Sequence, residues 1–139
     1  MSNYPFLDNE LMDVVRLFGE DGTEISHVLS FSDGEYRNEF TVNGEKYCFT
    51  RSMPTDGEIE FKRYAKRFAK LGLYEILSKK HDITMPWGAL TGIRPTKLAY
   101  TELQAGRDYK ALFSDMGVSS ANTLLVERIL KEQNTEDFF

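Results

Sequence analysis

The residues with the clearest binding chemistry lie between positions 87 and 97, where an aromatic ring, two glycines and two cations occur close together. Arginine offers a planar guanidinium that fits a carboxylate or a phosphate. A helix that begins at a proline also exposes N–H groups at its positive end. The segment therefore predicts an anion-binding site at the start of a helix. The residues assigned to it are Trp87, Gly88, Thr91, Gly92, Arg94, Pro95 and Lys97.

The geometry expected at this site follows from Pro95. A proline at the first helical position has a suitable φ and no N–H to satisfy, and the residue before it avoids the α region. Arg94 is therefore predicted at the N-cap, with Lys97 in the first turn. A second interpretation stays open, because Trp87 could pack into a joint between the preceding helix and the next one. Arg94 would then donate hydrogen bonds to loop carbonyls.

Positive charge is concentrated in the middle of the chain. The net charge is -5 over 139 residues, yet residues 61–100 contain 9 basic and 2 acidic side chains, whereas residues 1–60 contain 4 and 13. A long helix predicted from about Glu58 to Lys80 has cations opposite its apolar stripe. This basic face comprises Lys62, Arg63, Lys66, Arg67 and Lys70. It is either solvated, neutralised by the acidic N-terminal part, or a contact for an anionic ligand, RNA or an acidic neighbouring domain.

Cysteine and histidine are too scarce for a metal site to be assigned. The single cysteine, Cys48, and the two histidines, His27 and His81, are far apart in sequence. Cys48 is predicted to be a small buried side chain rather than a nucleophile. The N-terminus lacks the features of a signal peptide, and no apolar run approaches the roughly 18 residues of a membrane span. A cytoplasmic protein with no membrane contact is expected.

The order of elements predicts an α+β fold, with a small antiparallel β-meander and a helix followed by a helical half of about four helices. Residues 3–7 suggest a short edge strand, and Asp8 or Asn9 is expected to cap a helix from Glu10 to Phe18. Three strands are expected within residues 24–51, with a turn at Asn43-Gly44. One domain is assigned over residues 1–139, in which 1–57 form the α/β meander part and 58–133 the helical part.

Three further helices are predicted in the helical part. The first runs from Pro95 to Gln104, and Asp108 caps a second that extends to Met116. Ser119 or Ser120 caps the last helix, which extends to about Gln133. Its inward residues are predicted to be Leu124, Leu125, Ile129 and Leu130.

Three stretches of the sequence resemble one family. The run PWGALTGIRPTKL over residues 86–98 resembles the PWG-x-LTG-x-RP-x-K signature of HemZ-type coproporphyrinogen dehydrogenases, which are oxygen-independent coproporphyrinogen III oxidase-like proteins. The segments KRYAKRFAKLGLYEILS (residues 62–78) and GVSSANTLLVERILKEQ (residues 117–133) are similar to parts of the same N-terminal region. The resemblance therefore extends from about Lys62 to Gln133.

The resemblance implies that this chain and a further domain have different roles. Family members are radical SAM oxidoreductases of porphyrin (haem) biosynthesis, whose C-terminal barrel holds a [4Fe–4S] cluster and S-adenosylmethionine through a CxxxCxxC motif. With one cysteine, this chain is expected to be a non-catalytic accessory domain without a cofactor of its own. It would pack on the radical SAM domain of the same polypeptide and contact the carboxylates of a tetrapyrrole substrate.

The alternative function is a nucleic-acid-binding module that uses the basic helix over residues 58–80. The low isoelectric point of about 5.1 argues against it, and nucleic acid is not the expected partner.

Overall fold

The structure, a computed structural model, describes residues 1–19, 24–90 and 94–135, the last three by their backbone only. It contains a three-stranded antiparallel sheet and helices, which confirms the α+β class. The chain divides into two compact units, Met1–Ile83 and Thr84–Phe139. The boundary differs from the predicted division at residues 57 and 58, because the long helix packs on the sheet and belongs to the first unit.

The first unit has the order helix, three strands, helix. Its elements are a 3₁₀ helix (Pro5–Leu7), α1 (Asp8–Leu17), β1 (Ile25–Ser32), β2 (Glu35–Val42), β3 (Glu45–Ser52) and α2 (Gly57–His81). Both hairpins turn through two residues with positive φ, at Asp33-Gly34 and at Asn43-Gly44. Such turns suit the twist of antiparallel strands, so the meander follows from local sequence.

The core of the first unit lies between α2 and one face of the sheet. Tyr36 and Phe40 on β2 are fully covered, and the Tyr36 ring meets the Phe68 ring of α2 at 5.1 Å between centroids. A Cβ at Gly72 would lie 2.9 Å from the Phe40 ring, so glycine allows α2 to approach the sheet closely at this point. The apolar stripe predicted for this helix is therefore its packing surface.

Three predictions in the first unit are wrong. Residues 5–7 form a 3₁₀ turn rather than a strand, since Pro5 starts a helical segment that runs directly into α1. Asp8 is consequently inside the helix, and its carboxylate accepts a hydrogen bond from the Ser2 N–H at 2.9 Å instead of capping α1. Cys48 is exposed, because strand alternation turns Tyr47 and Phe49 towards α2 and Cys48 away.

The N-terminal residues cover one edge of the sheet. The His27 N–H donates to the Met1 carbonyl at 2.8 Å, and the Asn3 N–H donates to the His27 carbonyl at 3.1 Å. The Asn3 side chain both accepts from the Leu29 N–H and donates to the Leu29 carbonyl. Met1 and Asn3 thus occupy the outward-facing backbone groups of His27 and Leu29 in β1, which is an edge strand.

The second unit contains α3 (Pro95–Gln104), α4 (Tyr109–Asp115) and α5 (Ser120–Thr135). The Asp108 carboxylate caps α4 by accepting from the N–H groups of Lys110 and Ala111 at 3.0 and 3.2 Å, which confirms the predicted cap. At α5 the Ser119 hydroxyl oxygen accepts from the Asn122 N–H at 3.2 Å.

The inward face of α5 differs from the predicted one. Leu124 and Leu125 are 47% and 48% exposed, whereas Val126 and Leu130 are buried. The apolar run over residues 124–126 is continuous, so its composition does not fix which side of the helix faces inward. Leu130 alone of the predicted set is fully inward, while Ile129 is half-buried.

A buried polar chain links the N-terminus to the sheet. The Ser2 hydroxyl lies 2.8 Å from Nδ1 of His27, whose Nε2 lies 2.7 Å from Oδ1 of Asn38. His27 and Asn38 are 1% and 0% exposed. Burial lowers the pKa of His27 below its ordinary value, and the Asn38 hydrogen bond and the Asp8 charge oppose this only in part. The imidazole is therefore held neutral in the folded protein.

We expect this histidine to make folding stability depend on pH. Since the folded pKa lies below the unfolded value of 6.5, the unfolded chain takes up the proton first. The free energy of unfolding should then fall as pH drops from about 6.5 towards the folded pKa. Urea unfolding of wild type and His27→Gln at pH 7.5 and 5.5 checks this, with His81→Gln as the control. Equal pH dependence of wild type and His27→Gln would contradict the assignment.

Candidate anion-binding site

The PWG segment is held by the connection between α4 and α5. The Ala89 N–H donates to the Met116 carbonyl at 2.8 Å, and the Ser119 N–H donates to the Pro86 carbonyl at 2.9 Å. The Asn122 side chain donates to the same Pro86 carbonyl at 3.2 Å. These bonds anchor the segment to the start of α5 within the second unit.

Gly88 sits where this contact is tightest. Its φ is 58°, a left-handed conformation that favours glycine, and a Cβ would lie 2.1 Å from the Met116 carbonyl oxygen. The glycine is therefore required by a backbone-to-backbone approach. Part of the unusual motif is therefore structural, because Gly88 packs against the α4–α5 connection. The packing of the Trp87 ring into a joint, which the second interpretation proposed, stays a prediction.

The start of α3 has the predicted geometry. Arg94 is the N-cap, with φ -79° and ψ 117°, Pro95 is within the first turn, and no side chain caps the helix. Arg94 and Lys97 are both exposed, and neither forms an ion pair with any residue that the structure describes. The cations and the uncapped N–H groups therefore occur at the same end of one helix, which is what binding of an anion requires.

The structure shows less about the remaining members of the predicted site. Trp87 is half-buried, and its backbone carbonyl accepts from the Leu90 N–H at 3.1 Å. Thr91 and Gly92 lie outside the described residues. The role of the whole set in binding stays a prediction.

The predicted basic face of α2 loses one member. Lys70 is 4% exposed, and its ammonium lies 2.8 Å from the Glu10 carboxylate. It is buried because it lies one turn beyond Lys66, at the level where α2 packs against α1. Lys66 reaches the other oxygen of Glu10 at 3.7 Å, and Lys62 reaches Glu58 at 3.4 Å. The acidic N-terminal part therefore neutralises some of this charge.

Sequence reasoning did not identify a cleft of about 750 Å³ in the second unit. It lies between the ends of α3 and α4 and the side of α5, and Tyr109, Leu103 and Leu130 provide its apolar lining. At its rim Glu127 accepts hydrogen bonds from Lys110 and Lys131, which lower the pKa of Glu127 to about 2. The only available sequence signal was the Glu127–Lys131 spacing of four residues, which is common on helix surfaces.

Within residues 1–19, 24–90 and 94–135, no group of three or more His, Cys, Asp or Glu side chains is arranged to hold a metal ion. None of the helices in the described part of the chain combines the length and apolarity needed to cross a membrane.

Comparison with known proteins finds one curated relative for the chain. The chain is similar to the oxygen-independent coproporphyrinogen-III oxidase-like protein HemZ of Bacillus subtilis (strain 168), with 28% identity over 145 residues. This match confirms the resemblance inferred from the PWGALTGIRPTKL run. It covers 91% of the chain and only 29% of that protein's length. Neither a protein-family model nor a solved structure matches the chain.

Substitution of Gly88 tests whether this glycine is needed for close packing or only for its backbone conformation. In Gly88→Ala the new Cβ would clash with the Met116 carbonyl, so we expect the free energy of unfolding to fall by roughly 3 kcal/mol or more. Gly106 also has positive φ, at 75°, but a Cβ there would meet nothing within 4 Å. Gly106→Ala should therefore lower the free energy of unfolding only by the strain of positive φ, about 1–2 kcal/mol. Equal losses for the two variants, measured by urea unfolding, would contradict the packing role.

Proposed function

We propose that this chain is the N-terminal accessory region of a HemZ-like radical SAM oxidoreductase that acts in porphyrin biosynthesis in the cytoplasm. The observation that carries the proposal is the match to HemZ, which extends over nearly the whole chain but over less than a third of the relative. If the full-length protein has the length of HemZ, most of its residues lie outside this region and can form a catalytic domain. The accessory region would pack on that domain.

The cofactors of such an enzyme do not fit the residues of this chain. A [4Fe–4S] cluster needs several thiolates, and Cys48 is the sole cysteine in the sequence. It lies on the exposed face of β3, and the described residues of the chain include no group of His, Cys, Asp or Glu that could hold a metal ion. In our proposal the cluster and S-adenosylmethionine therefore belong to the catalytic domain, and this chain contributes to binding and not to the chemical step.

The α3 terminus is the part of this chain that we propose meets the substrate. The name of the relative refers to coproporphyrinogen, whose four carboxylates suit a cationic surface. Arg94 can receive a carboxylate through its planar fork, while the uncapped N–H groups of the first turn and Lys97 add positive potential. Trp87, which is half-buried in this chain, would be an anchor against the catalytic domain.

The gene provides a direct test of the radical SAM part of the proposal. We expect the reading frame that encodes this chain to contain a CxxxCxxC motif downstream of the codon for Phe139. A HemZ-length frame without that motif would refute the assignment to a radical SAM enzyme. The anion site can be tested separately, because it requires only this chain.

For the anion site, we expect coproporphyrin III to quench the fluorescence of Trp87, which is the single tryptophan. The double variant Arg94→Ala/Lys97→Ala should weaken the binding roughly tenfold or more, since charged hydrogen bonds contribute about 1.5–3 kcal/mol each when shielded from water. Arg128→Ala, which removes one exposed cation from α5, is the control for an effect of charge alone. If Arg94→Ala/Lys97→Ala lowers the melting temperature but binds as wild type does, these residues are structural.

A further inference from the structure

The outer edge of β3 is open to a further strand. The sheet order is β1-β2-β3, so β3 pairs with β2 on one side only. The Met53 N–H, which directly follows β3, donates to the Gly34 carbonyl on the β2 side at 2.7 Å. Because the direction of the backbone groups alternates along a strand, the even-numbered residues of β3 point their N–H and C=O groups away from β2. These residues are Lys46, Cys48, Thr50 and Ser52, and all four are exposed.

The two edges of the sheet differ in their protection. Along β1, Met1 and Asn3 form hydrogen bonds with the outward groups of His27 and Leu29. Along β3, no residue within 1–19, 24–90 or 94–135 forms a hydrogen bond with the outward backbone groups. The chain therefore covers one edge and leaves eight residues of the other as a template for strand addition.

A groove on the α2 side of β3 offers apolar surface next to this edge. It has a volume of about 520 Å³ and lies between β3 and the last turns of α2. Tyr47 and Phe49 of β3 and Ile76 of α2 provide its apolar lining. Both β3 rings are half-buried, so an added strand would remove more of their surface from water. Such a strand needs apolar side chains on its α2 side and polar ones on the opposite face.

β3 itself has this pattern. Side chains that lie opposite each other in a sheet share a face, so an antiparallel pair of identical strands has its two-fold axis at one residue. With the axis at Cys48, Tyr47 lies opposite Phe49 of the second copy, and Lys46 lies opposite Thr50 of that copy. Both rings then meet aromatic rings, which is a favourable cross-strand pair, and the two lysines are kept apart.

The neighbouring registers are less favourable. With the axis at Tyr47, the Phe49 ring lies opposite the charged Glu45, and with the axis at Phe49, the Tyr47 ring lies opposite the charged Arg51. An axis at Lys46 would place two ammonium groups side by side, and an edge lysine of this kind discourages unspecific strand addition. The alternation of side chains thus favours the register centred on Cys48.

We propose that β3 pairs antiparallel with β3 of a second copy of this chain, about a two-fold axis at Cys48. Two three-stranded sheets then form one continuous sheet across the dimer. The outward groups of Cys48 in the two copies bond each other, and those of Lys46 bond those of Thr50, so about six backbone hydrogen bonds form. This interface is separate from the proposed role in tetrapyrrole chemistry and uses the other unit of the chain.

Light scattering after size-exclusion chromatography, with a reducing agent present, tests the association of the 139-residue chain. We expect a monomer–dimer equilibrium that depends on protein concentration. Thr50→Pro removes an outward N–H without removing a bond to β2, so it should weaken dimerisation roughly tenfold or more. Thr50→Ala keeps that N–H and should change the dissociation constant less than about threefold.

Disulfide formation tests the register. Residues of a hydrogen-bonded antiparallel pair have Cα atoms about 5.5 Å apart, which suits a disulfide. Mild oxidation should therefore link wild-type dimers through Cys48, the single cysteine. Lys46→Cys/Cys48→Ser and Thr50→Cys/Cys48→Ser should each remain unlinked alone, and should form a linked dimer when the two variants are mixed.

Three results would overturn the proposal. These are a chain that stays monomeric at every concentration measured, a Thr50→Pro dimer as stable as that of wild type, or a mixture of the two cysteine variants that stays unlinked. If Thr50→Pro does not fold by circular dichroism, the mixing experiment decides alone, because both of its variants change only exposed side chains.

Discussion

The close packing of α2 on the sheet is the contact on which the first unit depends. Glycine at position 72 lets the helix backbone approach the Phe40 ring, and this approach places Phe68 against Tyr36. The same helix also packs on α1, where Lys70 is buried against Glu10. The packing of α2 therefore decides which of its lysines remain exposed.

A backbone contact has the corresponding role in the second unit. Gly88 brings the PWG segment against the Met116 carbonyl, and the same connection supplies the Ser119 cap of α5. The PWG segment, whose composition suggested a function, is thus partly a packing element. Its cationic end, at Arg94 and Lys97, forms no ion pair with the described residues, and its role in binding stays a prediction.

Local features of the fold were predictable, whereas features set by distant contacts were not. The Asn43-Gly44 turn, the Asp108 cap and the Pro95 helix start each depend on a few neighbouring residues, and sequence alone predicts them. The burial of Lys70 depends on a carboxylate sixty residues away, and the inward face of α5 depends on how the helix is rotated in its packing. The contact of Arg51 on β3 with the Phe68 ring of α2 was likewise not predictable, because it joins a strand to a helix.

The attachment of Met1–Asn3 to β1 protects an edge strand of the first unit. These residues satisfy the outward N–H groups of His27 and Leu29, which would otherwise form an open template for strand addition. Proteolytic removal of only three residues would expose that edge and remove the hydrogen bond between the Ser2 hydroxyl and the buried His27. Self-association of the trimmed chain into extended β-assemblies would follow from its newly unpaired edge, and loss of the core would not be needed.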